Sequence, residues 1–543
     1  MAGEQLPPRF ADRVDRWPIP AFIRDLWADP RAFRLLIVAA LSLLAAGLNP
    51  VVTSPSLPGI QSAIRAQPEI NALLILVTLV AAALLFIGGV LADTHGRRGL
   101  LLGALGVLMV ADGIDVVIGE GVLFVLTRFV ATAAAYAVLP FGLALVATAY
   151  GGLVRATAIG IVYAAYGAGT AVSPVLMTLL GPSGPTWPAF LVASLGAGLA
   201  LWVARPRAPD LTPVDRSDRG YVVATAIWSF AIVVLTAAIL DIGGRISGAL
   251  RPAMIGLGLA LLLLYAGYLW RQRVRGRTSH LHVVRRPMTV AVAIGVVIGF
   301  SQAAPMFQLP IYFYLVMGFG AIGATLATIP FILALVVAGP IAGLLLARLS
   351  PRRLIAGGTG LVGAGNIIAA LVLGQTTPYA ALVVPLVLIG GGFVVATTVR
   401  TAIIFASTPR RLPGSAAALN EASVLVGSRV GLAALTAIIT QRGLDIYASS
   451  LSATDPAQRD RLVAAFHEVL VAIGTPTLSQ VVGSVQPSDL SGYVAAITQA
   501  YQEALFGTGV LALVAGAVAW VALGPQDPLT TVWDHADERQ DDD

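Results

Sequence analysis

Long apolar runs separated by short polar turns fill this chain from about residue 33 to residue 523. A run of about 20 apolar residues is long enough to cross a bilayer as a helix, and in lipid only a helix satisfies its own backbone over such a run. The pattern predicts an all-α polytopic membrane protein. Its fourteen predicted spans are 33–54, 70–92, 99–119, 122–149, 156–180, 187–204, 221–241, 252–270, 288–316, 321–347, 353–373, 380–406, 414–440 and 502–523.

Composition narrows the class of protein and its chemistry. Hydrophobic residues make up 57% of the chain and charged residues 11%, with a mean hydropathy of +0.85, whereas a soluble domain carries roughly a quarter charged residues. The chain contains no cysteine, and its basic residues are all arginine. Disulfide chemistry, a Schiff base and a lysine-dependent P-loop are therefore excluded. No nucleophile–base pair stands out, so we expect no enzyme, cofactor or metal.

The distribution of arginine predicts the topology. If the N-terminus is cytoplasmic, the short outer loops hold only Arg65, Arg245 and Arg251, and the inner loops hold the remaining loop arginines, as the positive-inside rule requires. This also explains the pI near 9.8 without a nucleic-acid partner. We expect a bacterial inner-membrane protein with both termini cytoplasmic. Residues 1–32 form either an interfacial helix or a partly ordered tail, and residues 524–543 form an acidic tail.

An internal repeat divides the chain into related halves. A shift of 255 residues superimposes Gly88, Arg97 and Arg98 on Gly343, Arg352 and Arg353, whereas Asp93 falls on Arg348. Transporters built from repeated halves place their site near the bilayer midplane. The repeat predicts a six-helix bundle over 33–204, a linker with two inserted helices over 205–287, and a second six-helix bundle over 288–523.

Residues 441–500 interrupt the second bundle on its outer side. One apolar stripe at helical spacing contains Leu462, Phe466, Val469, Leu470 and Ile473, and another lies over 478–485. We expect either two amphipathic helices that cap the outer mouth or rest on the membrane, or a loop packed on itself.

The turn at 88–98 carries a family resemblance. Its sequence, Gly-Gly-Val-Leu-Ala-Asp-Thr-His-Gly-Arg-Arg, resembles the loop between helices 2 and 3 of the major facilitator superfamily. The layout of six, two and six helices resembles the fourteen-helix drug:proton antiporter branch. The resemblance implies two bundles that rock around a central site and export hydrophobic or amphipathic compounds in exchange for protons. It also implies a conformational lock formed by Gly89, Asp93, Gly96, Arg97 and Arg98.

Three motifs depart from that branch. Asn49 stands where the first helix of the family has an aspartate, Ala131 and Thr132 replace a glutamine and a glycine, and Ser173-Pro174 replaces Gly-Pro. Asparagine does not titrate. Either another carboxylate carries the proton, or proton coupling has been lost.

Charges inside spans indicate where a proton could bind, because each costs roughly 2.5–3.5 kcal/mol on insertion scales. At a rise of 1.5 Å per residue, Asp112 lies about 21 Å from the inner surface and Arg128 about 10 Å below the outer one, so the two are nearly level. Asp115 lies one turn further out. This cluster is either a proton-exchanging group or a static ion pair. Glu421 and Arg400 are a second possible pair, proton-sensitive or acting as a gate, and Arg429 has no evident partner.

Prolines that break span backbones predict a cavity beside them, and weakly charged, aromatic linings suit amphipathic molecules. The candidate lining residues are Asn49, Tyr163, Tyr166, Gln302, Phe307, Gln308, Tyr312 and Asn366. Glycines spaced by four predict close helix packing; they are Gly99/Gly103, Gly339/Gly343 and Gly427/Gly431.

The partners that we expect are protons, membrane lipids and an amphipathic small molecule or lipid, with the protein acting as a monomer. Two alternatives to proton-coupled export stay open. One is an exporter of lipids or envelope glycolipids without classical proton coupling, and the other is a receptor or scaffold that transports nothing.

Overall fold

The computed structural model describes part of the 543-residue chain. The described residues are 29–49, 88–89, 91, 97–118, 121–150, 152–180, 187–207, 227, 230–231, 234, 250–274, 286–346, 348–408, 413–451, 455–472 and 487–524. The predicted spans 70–92 and 221–241 lie almost wholly outside them, as do both predicted tails.

Fifteen α-helices and one π-helical turn make up the described structure. In chain order the helices are α1 Pro30–Leu48, α2 Arg97–Asp115, α3 Gly121–Ala149, α4 Gly152–Leu180, α5 Trp187–Arg207, α6 Leu250–Val274, α7 Arg286–Ala303, α8 Leu309–Leu315, α9 Ala321–Leu326, α10 Ile329–Leu345, α11 Pro351–Val372, α12 Ala380–Ala406, α13 Pro413–Ser450, α14 Pro456–Ala472 and α15 Pro487–Ala522. No strand occurs among the described residues.

The predicted fold class is confirmed. Helices occupy the other twelve predicted spans, and nine helical stretches of the described chain are long and apolar enough to cross a membrane. The predicted number of fourteen spans stays a prediction, because two of the spans lie almost wholly outside the described residues.

The helices pack as two groups. In the N-terminal group α1 contacts α3, α4 and α5, and α2 contacts α3 and α5. In the C-terminal group α7 contacts α12, α13 and α15, while α11 contacts α12 and α15. The groups meet where α4 crosses α10 and α12 and where α3 meets α13. Helix α6, one of the two predicted inserted helices, leaves large apolar side chains such as Leu263 and Trp270 exposed.

Glycines allow the two groups to approach backbone to backbone. A Cβ atom at Gly160 of α4 would overlap the carbonyl oxygen of Gly339 on α10, and one at Gly343 would overlap Thr157. The predicted close packing therefore holds at Gly339/Gly343. It also holds at Gly427/Gly431, where α13 lies against the backbone of α7.

The same prediction is wrong for Gly99 and Gly103 in the described part of the molecule. No described atom lies within 4 Å of a Cβ position at either glycine, and both are exposed on α2. Spacing alone fixes the helix face on which glycines lie, but not whether a second helix covers that face.

Prolines interrupt the predicted ninth span. Pro305 and Pro310 have no N–H to donate, and the helix passes between α7 and α8 through the π-helical turn Ala304–Gln308. The turn at Ala327 and Thr328 separates α9 from α10 within the tenth predicted span. The π-helical turn contributes Met306 and Phe307 to the interface between the two groups, and α9 contacts α4 of the other group.

The outer insertion is built largely from continuations of its neighbours. Helix α13 runs to Ser450 and α15 starts at Pro487, so both are longer than the predicted spans. Helix α14 packs against α13 and buries Phe466, whose ring centroid lies 5.1 Å from that of Tyr447 and 4.5 Å from that of Tyr493. The second predicted stripe, 478–485, lies outside the described residues.

Gly160→Ala should destabilise the protein, because its new methyl group would overlap the backbone of α10. Overpacking of this kind costs about 1–3 kcal/mol, and we expect a lower unfolding temperature for the purified protein in detergent, followed by tryptophan fluorescence. Gly357→Ala is the matched control, since nothing lies within 4 Å of its Cβ position. Equal unfolding temperatures for the two variants would contradict this account of the interface.

Candidate functional site

A cavity of ≈ 140 Å³ lies between the two helix groups. Helices α3 and α4 line it from the N-terminal group, and α7, the π-helical turn, α10, α12 and α13 line it from the C-terminal group. Its aromatic lining consists of Tyr136, Tyr163, Tyr166, Phe307 and Phe393. Glu421 and Arg429 are the charged residues among the described lining.

A hydrogen-bond network joins the two groups at one wall of the cavity. The Tyr163 hydroxyl on α4 donates to Glu421 Oε1 on α13 at 2.5 Å. Asn420 Nδ2 donates to the same Oε1 at 2.8 Å and to the Tyr163 oxygen at 2.7 Å. Thr401 on α12 donates to Asn420 Oδ1 at 2.9 Å. Because Tyr163 is the member from the N-terminal group, separation of the groups here breaks the bonds to its hydroxyl.

The ion pair considered for Arg400 and Glu421 does not form. The Arg400 guanidinium is fully buried, and it donates to Ser423 Oγ at 3.0 Å and to the carbonyl oxygen of Asn420 at 3.1 Å. Glu421 is instead bonded to Tyr163 and Asn420. Neutral oxygens solvate the arginine, and the carboxylate faces the other helix group.

Arg429 reaches the cavity from α13. Its Nη2 lies 3.4 Å from the Tyr136 hydroxyl oxygen, and its Cζ lies 5.9 Å from the ring centroid of Phe307. Its Nε is buried without a hydrogen-bond partner among the described residues. The guanidinium is thus held between aromatic side chains of both groups.

A second charged cluster lies within the N-terminal group, apart from the residues that line the cavity. Arg128 Nη2 on α3 lies 2.6 Å from Asp112 Oδ1 on α2 and also contacts Asp115, to which Thr127 donates. All three charged side chains are buried. The Arg128 Cζ lies 4.6 Å from the ring centroid of Phe190 on α5. The structure thus pairs Asp112 with Arg128, which were predicted to be nearly level, and adds Asp115, which was predicted one turn further out.

Four of the eight predicted lining residues, Tyr163, Tyr166, Gln302 and Phe307, line the cavity. The other four do not contribute to its lining, and each has a different environment. Gln308 donates to Thr436 at 2.7 Å. The Tyr312 ring lies 5.1 Å from that of Tyr501, and Asn366 donates to the carbonyl oxygen of Val362 at 2.9 Å. Asn49 is buried at the C-terminal end of α1.

Of the predicted lock, the structure places Gly89 and Arg98. A Cβ at Gly89 would lie 2.6 Å from the carbonyl oxygen of Gly414, so the glycine sits against the start of α13. Arg98 Nη2 donates to the carbonyl oxygen of Arg205 at 2.9 Å. Asp93, Gly96 and the side chain of Arg97 lie outside the described part of the chain.

Sequence reasoning missed Tyr136, Phe393, Asn420 and Thr401. Tyr136 could have been found, because it is a polar aromatic residue two turns from Arg128 in an otherwise apolar span. Asn420 stands beside Glu421, and a buried carboxylate needs donors. Phe393 and Thr401 carry no signal that separates them from ordinary packing residues.

The sequence profile of the Major Facilitator Superfamily matches residues 35–432. The chain belongs to this superfamily. It is therefore an integral membrane protein and a transporter rather than an enzyme. This membership also accounts for the paired helix groups and the cavity between them.

Curated relatives span most of the chain. It is 26% identical over 521 residues to the tetracenomycin C resistance and export protein of Streptomyces glaucescens, covering 90% of this chain and 91% of that one. It is 25% identical to the uncharacterised MFS-type transporter EfpA of Mycobacterium tuberculosis, covering 81% and 82%. It is 26% identical to the multidrug efflux pump LfrA of Mycolicibacterium smegmatis, covering 76% and 81%.

Solved structures share the fold. The proton:xylose symporter XylE superimposes with a TM-score of 0.58 at 13% identity, covering 91% of this chain and 96% of that one. The human organic anion transporter MFSD10 gives a TM-score of 0.53 at 13% identity, covering 89% and 100%. At this identity the likeness concerns the fold alone.

Tyr163→Phe should destabilise the closed contact between the helix groups. The variant removes the hydroxyl that donates to Glu421, and the loss of a hydrogen bond to a carboxylate costs about 1.5–3 kcal/mol. We expect a lower unfolding temperature in detergent. Tyr314→Phe is the control, because Tyr314 is 40% exposed on α8. An unfolding temperature unchanged in both variants would show that the bond across the groups contributes nothing.

Proposed function

We propose that this protein is a secondary active transporter that exports hydrophobic or amphipathic small molecules by alternating access. The observation that carries the proposal is the cavity between the two helix groups, with its aromatic and apolar lining. Pockets for drug-sized ligands occupy roughly 300–1,000 Å³. A cavity of ≈ 140 Å³ must widen to admit such a ligand, and separation of the groups would widen it.

The relatives support export as the direction of transport. One is named for resistance to and export of tetracenomycin C, and another is named a multidrug efflux pump. An amphipathic small molecule, rather than a lipid, is the substrate that these names and the cavity favour. Because its relatives are bacterial, we place the protein in the bacterial inner membrane, and the arginine distribution supports cytoplasmic termini. We further propose that it acts as a monomer.

Proton coupling is assigned to Asp112, Asp115 and Arg128. Two carboxylates and one guanidinium carry a net charge of −1 when all are ionised, and the cluster is neutral when it holds one proton. Carboxylates that share a site favour the singly protonated form. Uptake and release of that proton change the charge that Arg128 must balance. Asn49 cannot supply this chemistry, so the cluster takes the place of the carboxylate that the family has on its first helix.

Glu421 is the second candidate for proton binding. It lies on the cavity wall and bonds to the opposite helix group through Tyr163. Protonation would weaken its acceptance of that bond, which couples its charge to the closure of the groups. Gly89, one of the proposed lock residues, packs against the start of the same helix, α13.

A transport assay in sealed vesicles tests the function. We expect everted vesicles that contain the protein to accumulate an amphipathic dye when a pH gradient is imposed, and to release protons in return. Accumulation without proton movement would favour the alternative of an uncoupled lipid or glycolipid exporter. If neither an amphipathic dye nor a fluorescent lipid is transported, the result contradicts the transport function and favours the alternative of a receptor or scaffold.

Asp112→Asn and Asp115→Asn should each abolish gradient-driven accumulation while leaving dye counterflow intact. Each variant leaves one carboxylate to pair with Arg128, so the fold is retained, but the cluster no longer holds a dissociable proton beside an ionised partner. Asp445→Asn, which alters an exposed aspartate on α13, should behave as wild type. If both cluster variants accumulate dye normally, Glu421 or no residue at all carries the proton, and the assignment fails.

A further inference from the structure

We infer that the cavity selects amphipathic compounds with a negative group, and that Arg429 binds this group. The inference rests on the proposed transport function, and it names the charge class of the substrate. Among the described residues at the cavity, the one carboxylate is that of Glu421. The guanidinium of Arg429 is in the lining, and that of Arg400 lies behind Glu421.

The single carboxylate is already engaged. Glu421 Oε1 accepts hydrogen bonds from both Tyr163 and Asn420, and fully buried Arg400 lies behind it among neutral oxygens. If Glu421 is ionised, these three charged groups sum to +1, and if it is protonated they sum to +2. Residues 70–92, which lie almost wholly outside the described part, contain no ionisable residue, so that predicted span adds no carboxylate.

Arg429 is the cation that remains poorly compensated. Its contacts are a hydroxyl oxygen at 3.4 Å and an aromatic ring at 5.9 Å, and its Nε has no partner in the described structure. Charge in the membrane interior is costly unless it is paired. A guanidinium binds a carboxylate or phenolate through short, charge-assisted hydrogen bonds, so an anionic ligand supplies what the protein lacks here.

The surroundings of Arg429 suit an aromatic body attached to that anionic group. Tyr136 and Phe307 touch the guanidinium from the two helix groups, and Tyr166 and Phe393 extend the aromatic lining. Planar rings stack well on such walls. A cationic compound would instead meet Arg429 at close range without a free carboxylate among the described lining.

Two xanthene dyes of similar size and opposite charge test the inference. Fluorescein is anionic at neutral pH, and rhodamine 123 is cationic. Binding to the purified protein is followed by fluorescence anisotropy, and transport is followed in proteoliposomes. We expect wild type to bind fluorescein at least about tenfold more tightly than rhodamine 123, the size of effect that one charge-assisted hydrogen bond produces.

Arg429→Gln should weaken fluorescein binding by about tenfold or more and leave rhodamine 123 binding unchanged or stronger. Arg429→Lys keeps the charge and should retain part of the preference, which separates lost charge from a lost fold. Arg442→Gln is the control, because Arg442 lies on the same helix but is exposed and paired with Glu503. It should behave as wild type with both dyes.

The outcomes separate the two proposals. If the charge preference in binding depends on Arg429 but neither dye is transported, the proposed transport function is contradicted and the anion-binding site is supported. Transport of rhodamine 123 in preference to fluorescein, or an equal loss of both dyes in Arg429→Gln, would overturn the anionic selectivity and leave the transport function. Absence of fluorescein binding to wild type would also overturn it.

Discussion

A charged group in the interior of a membrane protein must find its compensation inside the protein. Arg128 and Arg400, the two fully buried arginines of the described chain, do so in opposite ways. Arg128 contacts two carboxylates, Asp112 and Asp115. Arg400 donates only to a hydroxyl and a carbonyl oxygen. The first arrangement can bind or release a proton and still keep its arginine paired. The second keeps a fixed positive charge behind the cavity. The N-terminal group thus surrounds its buried arginine with titratable side chains, whereas the C-terminal group surrounds its buried arginine with neutral oxygens.

The contact between the groups is of a kind that can open. In lipid there is no hydrophobic driving force for helices to associate, so their contacts depend on close packing and hydrogen bonds. Here the packing depends on glycines such as Gly160 and Gly339, and the main polar link is the Tyr163–Glu421 bond with its Asn420 partner. Helix faces that consist of glycine have no interdigitated side chains that must disengage before the helices separate. The hydrogen bonds then decide how strongly the closed arrangement is favoured.

Sequence reasoning succeeded where geometry along one helix was enough. Helix rise alone placed Asp112 and Arg128 at one depth, because the loop between their helices is short. It failed for contacts between distant segments. Tyr163 and Glu421 are 258 positions apart, and periodicity identifies the face of a helix but not the helix that covers it. For the same reason the prediction was wrong for Gln308 and Tyr312, which were expected to line the cavity because they lie near prolines. They contact α13 and α15 instead. Hydropathy also ended α13 near residue 440, since polar residues begin there, although the helix continues to Ser450.

Helix α3 connects the cluster of Asp112, Asp115 and Arg128 to the cavity. Arg128 and Tyr136 lie eight residues apart on it, about 12 Å along the axis at 1.5 Å per residue. Pro140 lies within the same helix, and because proline has no N–H, the carbonyl of Tyr136 loses its usual helical donor. The helix therefore lacks one backbone hydrogen bond beside the residue that contacts Arg429. If the Asp112, Asp115 and Arg128 cluster carries the proton, as proposed, its change of charge acts on the same helix that contributes Tyr136 to the cavity. The proton and the substrate then need not share one site.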